Sequence, residues 1–271
     1  MSAITAADVK KLRDATGAGM MDAKKALTEA DGDFEAAIEI LRVTGQAKMA
    51  NRSDRDASNG LVASSGNTVI QLGAETDFVA KNAEFMALAD EIAAAVDAAG
   101  VDGLEAAQGV ALGSGKSVSE AVSELSAKIG EKLELAAAAS YSGPAVVYLH
   151  RRSADLPPQV GVMVEHDGGD ADFVRGIAMQ IAAMSPAYVT RDDVPADILD
   201  HERKIAEMTA KEEGKPEQII PRIVEGRLSG FFKEVCLVEQ PSVSDDKKTV
   251  GQLLKENGVE VKRFVRFSAG S

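Results

Sequence analysis

A single cysteine, no tryptophan and only 4% aromatic residues rule out several devices for this 271-residue chain. A lone thiol, Cys236, closes no internal disulfide, which fits a reducing compartment and hence the cytoplasm. No apolar run is long enough to span a bilayer. The opening "MSAITAADVKK" has no apolar stretch of the kind a secretory signal needs. Lys and Arg number 30 against 43 Asp and Glu, a formal net charge of −13. That field repels phosphate backbones, so neither nucleic acid nor a membrane is an expected partner, whereas a protein with a positive patch is. With so few rings, Ala, Val, Ile, Leu and Met must build the interior.

Catalytic constellations are scarce too. His150, His166 and His201 are scattered, without companions at metal-ligand spacing. No serine sits in a Gly-x-Ser-x-Gly turn. "GVALGSGKS" ends like a phosphate-binding loop, yet position 110, five residues before Gly115-Lys116, is Val where that loop needs Gly. Cys236 reads as a buried, inert thiol in an apolar strand. No metal, cofactor or enzymatic activity is expected.

What the chain does have is periodicity. Residues 1–44 read as three short helices: Thr5 caps the first, with Val9 and Leu12 inward. "TGAGM" breaks it with Gly17 and Gly19; Ala23, Ala26 and Leu27 line the second helix, and Asp33 caps a third carrying Phe34, Ile38 and Leu41. Residues 45–58 form a polar connection. From 59 the period changes. "GLVASSGNTVIQLGAE" predicts a β-hairpin, followed by a helix with Phe85, Leu88, Ala89, Ile92 and Val96 at helical spacing. A helix and a strand after Gly130 complete a unit over 59–140. "AVVYLHRRSADLPPQVGVMVEH" and "DADFVRGIAMQIAAM" repeat the hairpin-plus-helix order, giving a second unit over 141–186 and 229–271. In it "FFKEVCLVEQP" and "VEVKRFVRF" alternate as two strands. Hairpins followed by helices predict an α+β fold with antiparallel sheets. Residues 187–228 read as an inserted hairpin of two charged amphipathic helices, turned at Gly214-Lys215-Pro216. Ile198, Leu199, Ile205 and Met208 would face Ile219, Ile220, Ile223 and Leu228. Such an arm is a candidate dimerisation element.

One stretch is odd. Thr76-Asp77-Phe78-Val79 places a bare carboxylate beside a large hydrophobe where strand gives way to helix. Phe78 is either a core residue, as Phe173 would be in the echoing Asp172-Phe173-Val174, or a probe aimed at another molecule.

"LRDATGAGMMDAKKALTEADGDFEAAIEILR" (12–42), "ETDFVAKN" (75–82), "EGRLSGFFKEVCLVEQP" and "TVGQLLKENG" resemble, in this order, the bacterial elongation factor Ts family, over nearly the whole chain. The resemblance implies a ubiquitin-associated-like domain over 1–44, two related core subdomains and the inserted hairpin. It implies a guanine-nucleotide exchange factor that binds elongation factor Tu, GDP-bound and nucleotide-free, and dislodges its Mg²⁺ through Thr76, Asp77, Phe78 and Val79. It further implies partner contacts at Met20, Met21 and His150. The "RRSADLPPQ" after His150 is longer than the turn the family leads one to expect. Some family members carry a further helical module after the last strand; the chain given stops soon after it, so part of the interface is expected to be absent. Two rival readings are an adaptor that holds its partner without changing the partner's ligand, and a nucleotide-hydrolysing enzyme built around Lys116.

Overall fold

The computed structural model describes residues 4–16, 18–50 and 54–270, with backbone alone for 46–50; Gly17, in the first glycine turn, lies outside them. The fold is α+β: helices packed on two small antiparallel three-stranded sheets. No helix among the described residues is long and apolar enough to cross a membrane.

The chain divides into two compact units. The first begins with three helices, α1 (Ala6–Thr16), α2 (Met20–Glu29) and α3 (Phe34–Ala50). Thr5 and Asp8 cap α1 reciprocally: the Asp8 N–H donates to Thr5 Oγ1, and Asp8 Oδ2 accepts from the Thr5 amide at 2.9 Å. Asp33 accepts from the Ala36 amide and starts α3. Val9, Leu12, Ala23, Ala26, Leu27 and Ala37 form the core of this layer, with Phe34, Ile38 and Leu41 around it. Helix α3 runs six residues past the expected boundary at 44, taking up part of the connection; residues 51–53 of that connection lie outside the described residues.

The first sheet has the order β1 (Asn59–Ser65), β2 (Thr68–Ala74), β3 (Leu133–Ser140). Between β2 and β3 run α4 (Asp77–Ala80), α5 (Ala83–Ala99), α6 (Leu104–Gln108) and α7 (Val118–Ile129). Phe85, Ala89, Ile92 and Val96 of α5 and Val118, Val122 and Leu125 of α7 share one core with Leu61, Ile70, Leu72 and Leu135 of the sheet. Asn82 caps α5 by accepting from the Glu84 and Phe85 amides, and Gly100 closes it in the left-handed region. Gly60 and Gly73 face each other in the β1–β2 register. Gly60 has φ 126°, and a Cβ there would stand 2.1 Å from the Leu72 carbonyl oxygen. Only glycine fits that approach. Residues 151–159 and 267–270 also fall in this unit. The tip of the second hairpin therefore departs from the expected subdomain division: Val62 N–H donates to the Pro158 carbonyl at 2.8 Å.

The second unit holds β4 (Ala145–His150), β5 (Val160–Asp167) and most of β6 (Glu260–Ser268), in that order. Helix α8 (Ala171–Met184) covers the sheet with Val174, Ile177, Ala178 and Ile181. The inserted hairpin is α9 (Ala196–Glu212) and α10 (Ile220–Val235), and α11 (Val250–Glu256) precedes β6.

Two expectations fail here. "FFKEV" is not strand but the last turn of α10, and "LVE" forms a short 3₁₀ turn, so β6 is the only strand of this unit after β5. Helical hydrogen bonding carries through Cys236 N–H to the Phe232 carbonyl, overriding the local alternation. Cys236 accordingly sits between a helix and a 3₁₀ turn, making a single bridge to Tyr188 rather than a strand ladder. On the α9 side the arm also packs on a different stripe, whereas Leu199 and, on α10, Ile220, Ile223 and Leu228 lie in the packed cluster as expected. Leu199, Ala206 and Ala210 of α9 meet Ile220, Val224 and Leu228 of α10, while Ile198, Ile205, Met208 and Ile219 stay exposed. Ile198, Ile205 and Met208 lie about 100–180° around α9 from the stripe of Leu199, Ala206 and Ala210, and the stripe with the small residues wins because alanine lets two helix backbones approach closely.

Two outcomes follow from this packing. Gly60→Ala forces a Cβ into the Leu72 carbonyl and an unfavourable φ, and should cost about 2–3 kcal/mol in denaturant unfolding; a neutral effect would show that the approach relaxes. Burial, with Glu239 adding to it, pushes the Cys236 thiol up to about 11. At pH 8 the native chain should therefore not react with an aromatic disulfide reagent, and should yield one thiol on unfolding; rapid native labelling would contradict the burial.

Candidate functional site

Strand β2 ends at Ala74, and within three residues the chain turns into a four-residue helix. Thr76 is its N-cap, extended at φ −130° and ψ 156°, with its side-chain oxygen accepting from the Val79 amide at 3.5 Å. Each residue of a helix is rotated about 100° from the last, so one turn sorts its side chains. Val79 and Ala80 point into the core; Asp77 and Phe78 point out. Phe78 is 80% exposed, whereas Phe85, seven residues on, is fully buried. A core role for Phe78 is excluded.

The echoing segment shows why. In α8 the cap is Asp170, which accepts from the Phe173 amide at 2.8 Å. Phe173 is thus the third residue after its cap, the place Val79 takes in α4, and it packs half-buried against the core of its unit. Phe78 is the second residue after its cap. One position of offset turns the same Asp-Phe-Val string by about 100° and moves the ring from wall to solvent.

Two glutamates hold this corner. The Glu131 carboxylate accepts from the Thr76 amide at 3.1 Å and from the Thr76 hydroxyl at 2.9 Å. In return, the Glu75 carboxylate accepts from the Lys132 amide at 2.6 Å, and from Arg55. Asn59 donates to the Glu75 carbonyl at 2.9 Å. At the far end, Lys81 caps α4 and pairs with Asp155 at 2.9 Å. Hydrogen bonds from Ser153 first, and then Lys81, pull the Asp155 carboxyl down to about 2. The same bond to Asp155, with smaller help from Asp77, raises Lys81, so this cation persists beside Asp77. Glu131, Glu75 and Asp155 escape a reading of the sequence because the partners that tie them to this corner lie 20 to 74 residues away.

Met20 and Met21 open α2 behind Gly19, 47% and 78% exposed. They lie in the same unit as Phe78. His150 belongs to the other unit, where it ends β4, exposed, its Nδ1 3.0 Å from the Tyr148 hydroxyl. His166 meets the Gly168 carbonyl, and His201 lies exposed on α9. Among the described residues no group of three or more His, Cys, Asp or Glu is placed to hold a metal. The phosphate-loop look of "GSGKS" resolves into helix capping. Ser117 and Glu120 form a capping box, Lys116 pairs with Glu124, and the Gly113 amide donates to Glu91. Those groups are committed to carboxylates of the chain itself.

One unit thus exposes a ring, an adjacent carboxylate and two methionines. A family model described as "Elongation factor TS" matches residues 75–271. The chain is similar to proteins named elongation factor Ts from several bacteria. That of Cutibacterium acnes is 66% identical over 268 residues, covering 99% of each chain. That of Mycolicibacterium smegmatis is 56% identical over 274 residues, covering 100% of this chain and 99% of the relative. That of a Nocardioides strain is 57% identical over 272 residues, covering both chains fully. Matched end to end by such relatives, the chain belongs to the elongation factor Ts family and so to translation elongation.

Proposed function

We propose that the chain is a guanine-nucleotide exchange factor that binds elongation factor Tu in its GDP-bound and nucleotide-free forms and promotes GDP release. Its place of work is the cytoplasm, and it contributes no catalytic group of its own. The observation that carries the reading is Phe78, 80% exposed on a capped turn next to a well-filled core.

A GTPase holds GDP through phosphate contacts and a Mg²⁺ ion bridging protein and nucleotide. An exchange factor must bind the nucleotide-free form better than the GDP form; by linkage, GDP then weakens the factor as much as the factor weakens GDP. Each tenfold loss of nucleotide affinity requires about 1.4 kcal/mol of differential binding. Burying one Phe side chain is worth about 1.5–3 kcal/mol, so Phe78 alone supplies one to two decades. Met20, Met21 and His150 are the proposed further contacts that bring the difference to a useful size. In this reading Phe78 enters a gap in the partner and spreads the elements that hold the Mg²⁺ ligands. Thr76 and Val79 fix the turn from the inside, and Asp77 adds a carboxylate where the metal sits. The exposed Ile198, Ile205 and Met208 support a contact between two copies through the arm over 187–228.

Phe78→Ala should leave the melting temperature nearly unchanged, since 80% of the residue is exposed. It should slow stimulated release of fluorescent GDP from elongation factor Tu by about tenfold, one decade of lost burial. Release unchanged by the unaltered chain, despite binding, would replace the exchange reading with an adaptor. In sedimentation velocity the chain should show concentration-dependent self-association that Met208→Glu weakens; a monomer at every concentration would remove the arm as a dimer contact.

A further inference from the structure

We propose that Glu131 is the positioning residue of this segment: its carboxylate, delivered from the turn between α7 and β3, locks the cap of α4 and so sets the direction of the Phe78 ring. The inference rests on the exchange reading above and names the group on which its wedge depends.

Helix α4 has little of its own to hold it. Four residues fall far short of a self-sustaining helix, and its single i-to-i−4 bond, Ala80 N–H to the Thr76 carbonyl, is long at 3.4 Å. Phe78, 80% exposed, adds little packing. Val79 and Ala80 anchor the inner side, but burial is non-directional and does not fix rotation of the turn. Direction comes from the cap. A carboxylate only accepts hydrogen bonds, so Glu131 obliges the Thr76 hydroxyl to donate outward. The lone pairs of that oxygen are left aimed at the Val79 amide. The same carboxylate takes the Thr76 amide and fixes the extended backbone from which the helix starts.

Glu131 is itself held. Gly130 closes α7 with φ 90°, the Ser126 hydroxyl donates to the Glu131 carbonyl at 2.6 Å, and the Lys132 amide is tied to Glu75. These half-buried, charge-assisted bonds are stronger than neutral ones. The brace at the other end, Lys81 with Asp155, is an exposed ion pair, which salt screens and which contributes little. Between the two, Glu131 is the one that decides the geometry.

The test is a kinetic comparison with elongation factor Tu carrying fluorescent GDP. Glu131→Ala should lower the saturating release rate about fivefold while the half-saturating concentration changes less than about twofold, because the rest of the contact surface is untouched. Glu131→Gln keeps an acceptor for the Thr76 amide and should restore the rate to within about twofold of the unaltered chain. In a Phe78→Ala background, Glu131→Ala should cost nothing more, since no ring is left to aim. Amide hydrogen exchange in the free chain should speed up at Thr76 and Val79 in Glu131→Ala and recover in Glu131→Gln. Full stimulation by Glu131→Ala, additive losses in the double variant, or failure of Glu131→Gln to recover the rate would each overturn the positioning role. Absence of stimulation by the unaltered chain would instead overturn the exchange reading.

Discussion

Thr76 closes the first turn of α4 two residues before Phe78, and Asp170 closes α8 three residues before Phe173. On that offset depends whether an Asp-Phe-Val string lines a core or offers a ring to solvent. The rest of the first unit maintains the offset. The sheet and α5 bury the inner half of the turn, where Val79 and Ala80 lie, and Glu75 and Glu131 clasp the strand ends on either side of it. A second cap, Asn82, restarts the helix at once, so α4 stays one turn long and α5 enters the core on its own axis.

Carboxylates are spent here on backbone amides as much as on cations. Glu75, Glu91, Glu120, Glu131 and Asp193 each accept from a main-chain N–H at a cap, corner or turn. Part of the acidity that makes the net charge −13 is therefore structural. The same chemistry disposes of the apparent phosphate loop, whose Ser117 and Lys116 are engaged by Glu120 and Glu124. Similarity to elongation factor Ts proteins runs along the full chain.

Both corrections involve α10. In "FFKEVCLVE" local alternation suggested a strand, but α10 was already under way, and extending a helix adds one hydrogen bond for each residue fixed. In α9 the larger side chains looked like the buried face, yet Ala206 and Ala210 allow the closer approach, and Ile205 and Met208 are left outside. In the first case α10's own hydrogen bonding settled the matter, in the second the packing of α10 against α9.

Periodicity, caps and glycine turns were enough to place the N-terminal helices, both hairpins, the helix after each and the α+β class, because those signals act over a few residues. Hydropathy also named the core positions of α1, α2 and α5, since a 3.6-residue repeat admits one inward face there. Which way Phe78 points was not legible: Thr76, Asp77, Asp170 and Asp172 are all competent caps, and choosing among them needs the strand that leads in. Nor was the clasp between Glu131 and Thr76, 55 residues apart. Tertiary structure alone brings those two together, because a carboxylate finds its amides only once β2 and β3 have paired.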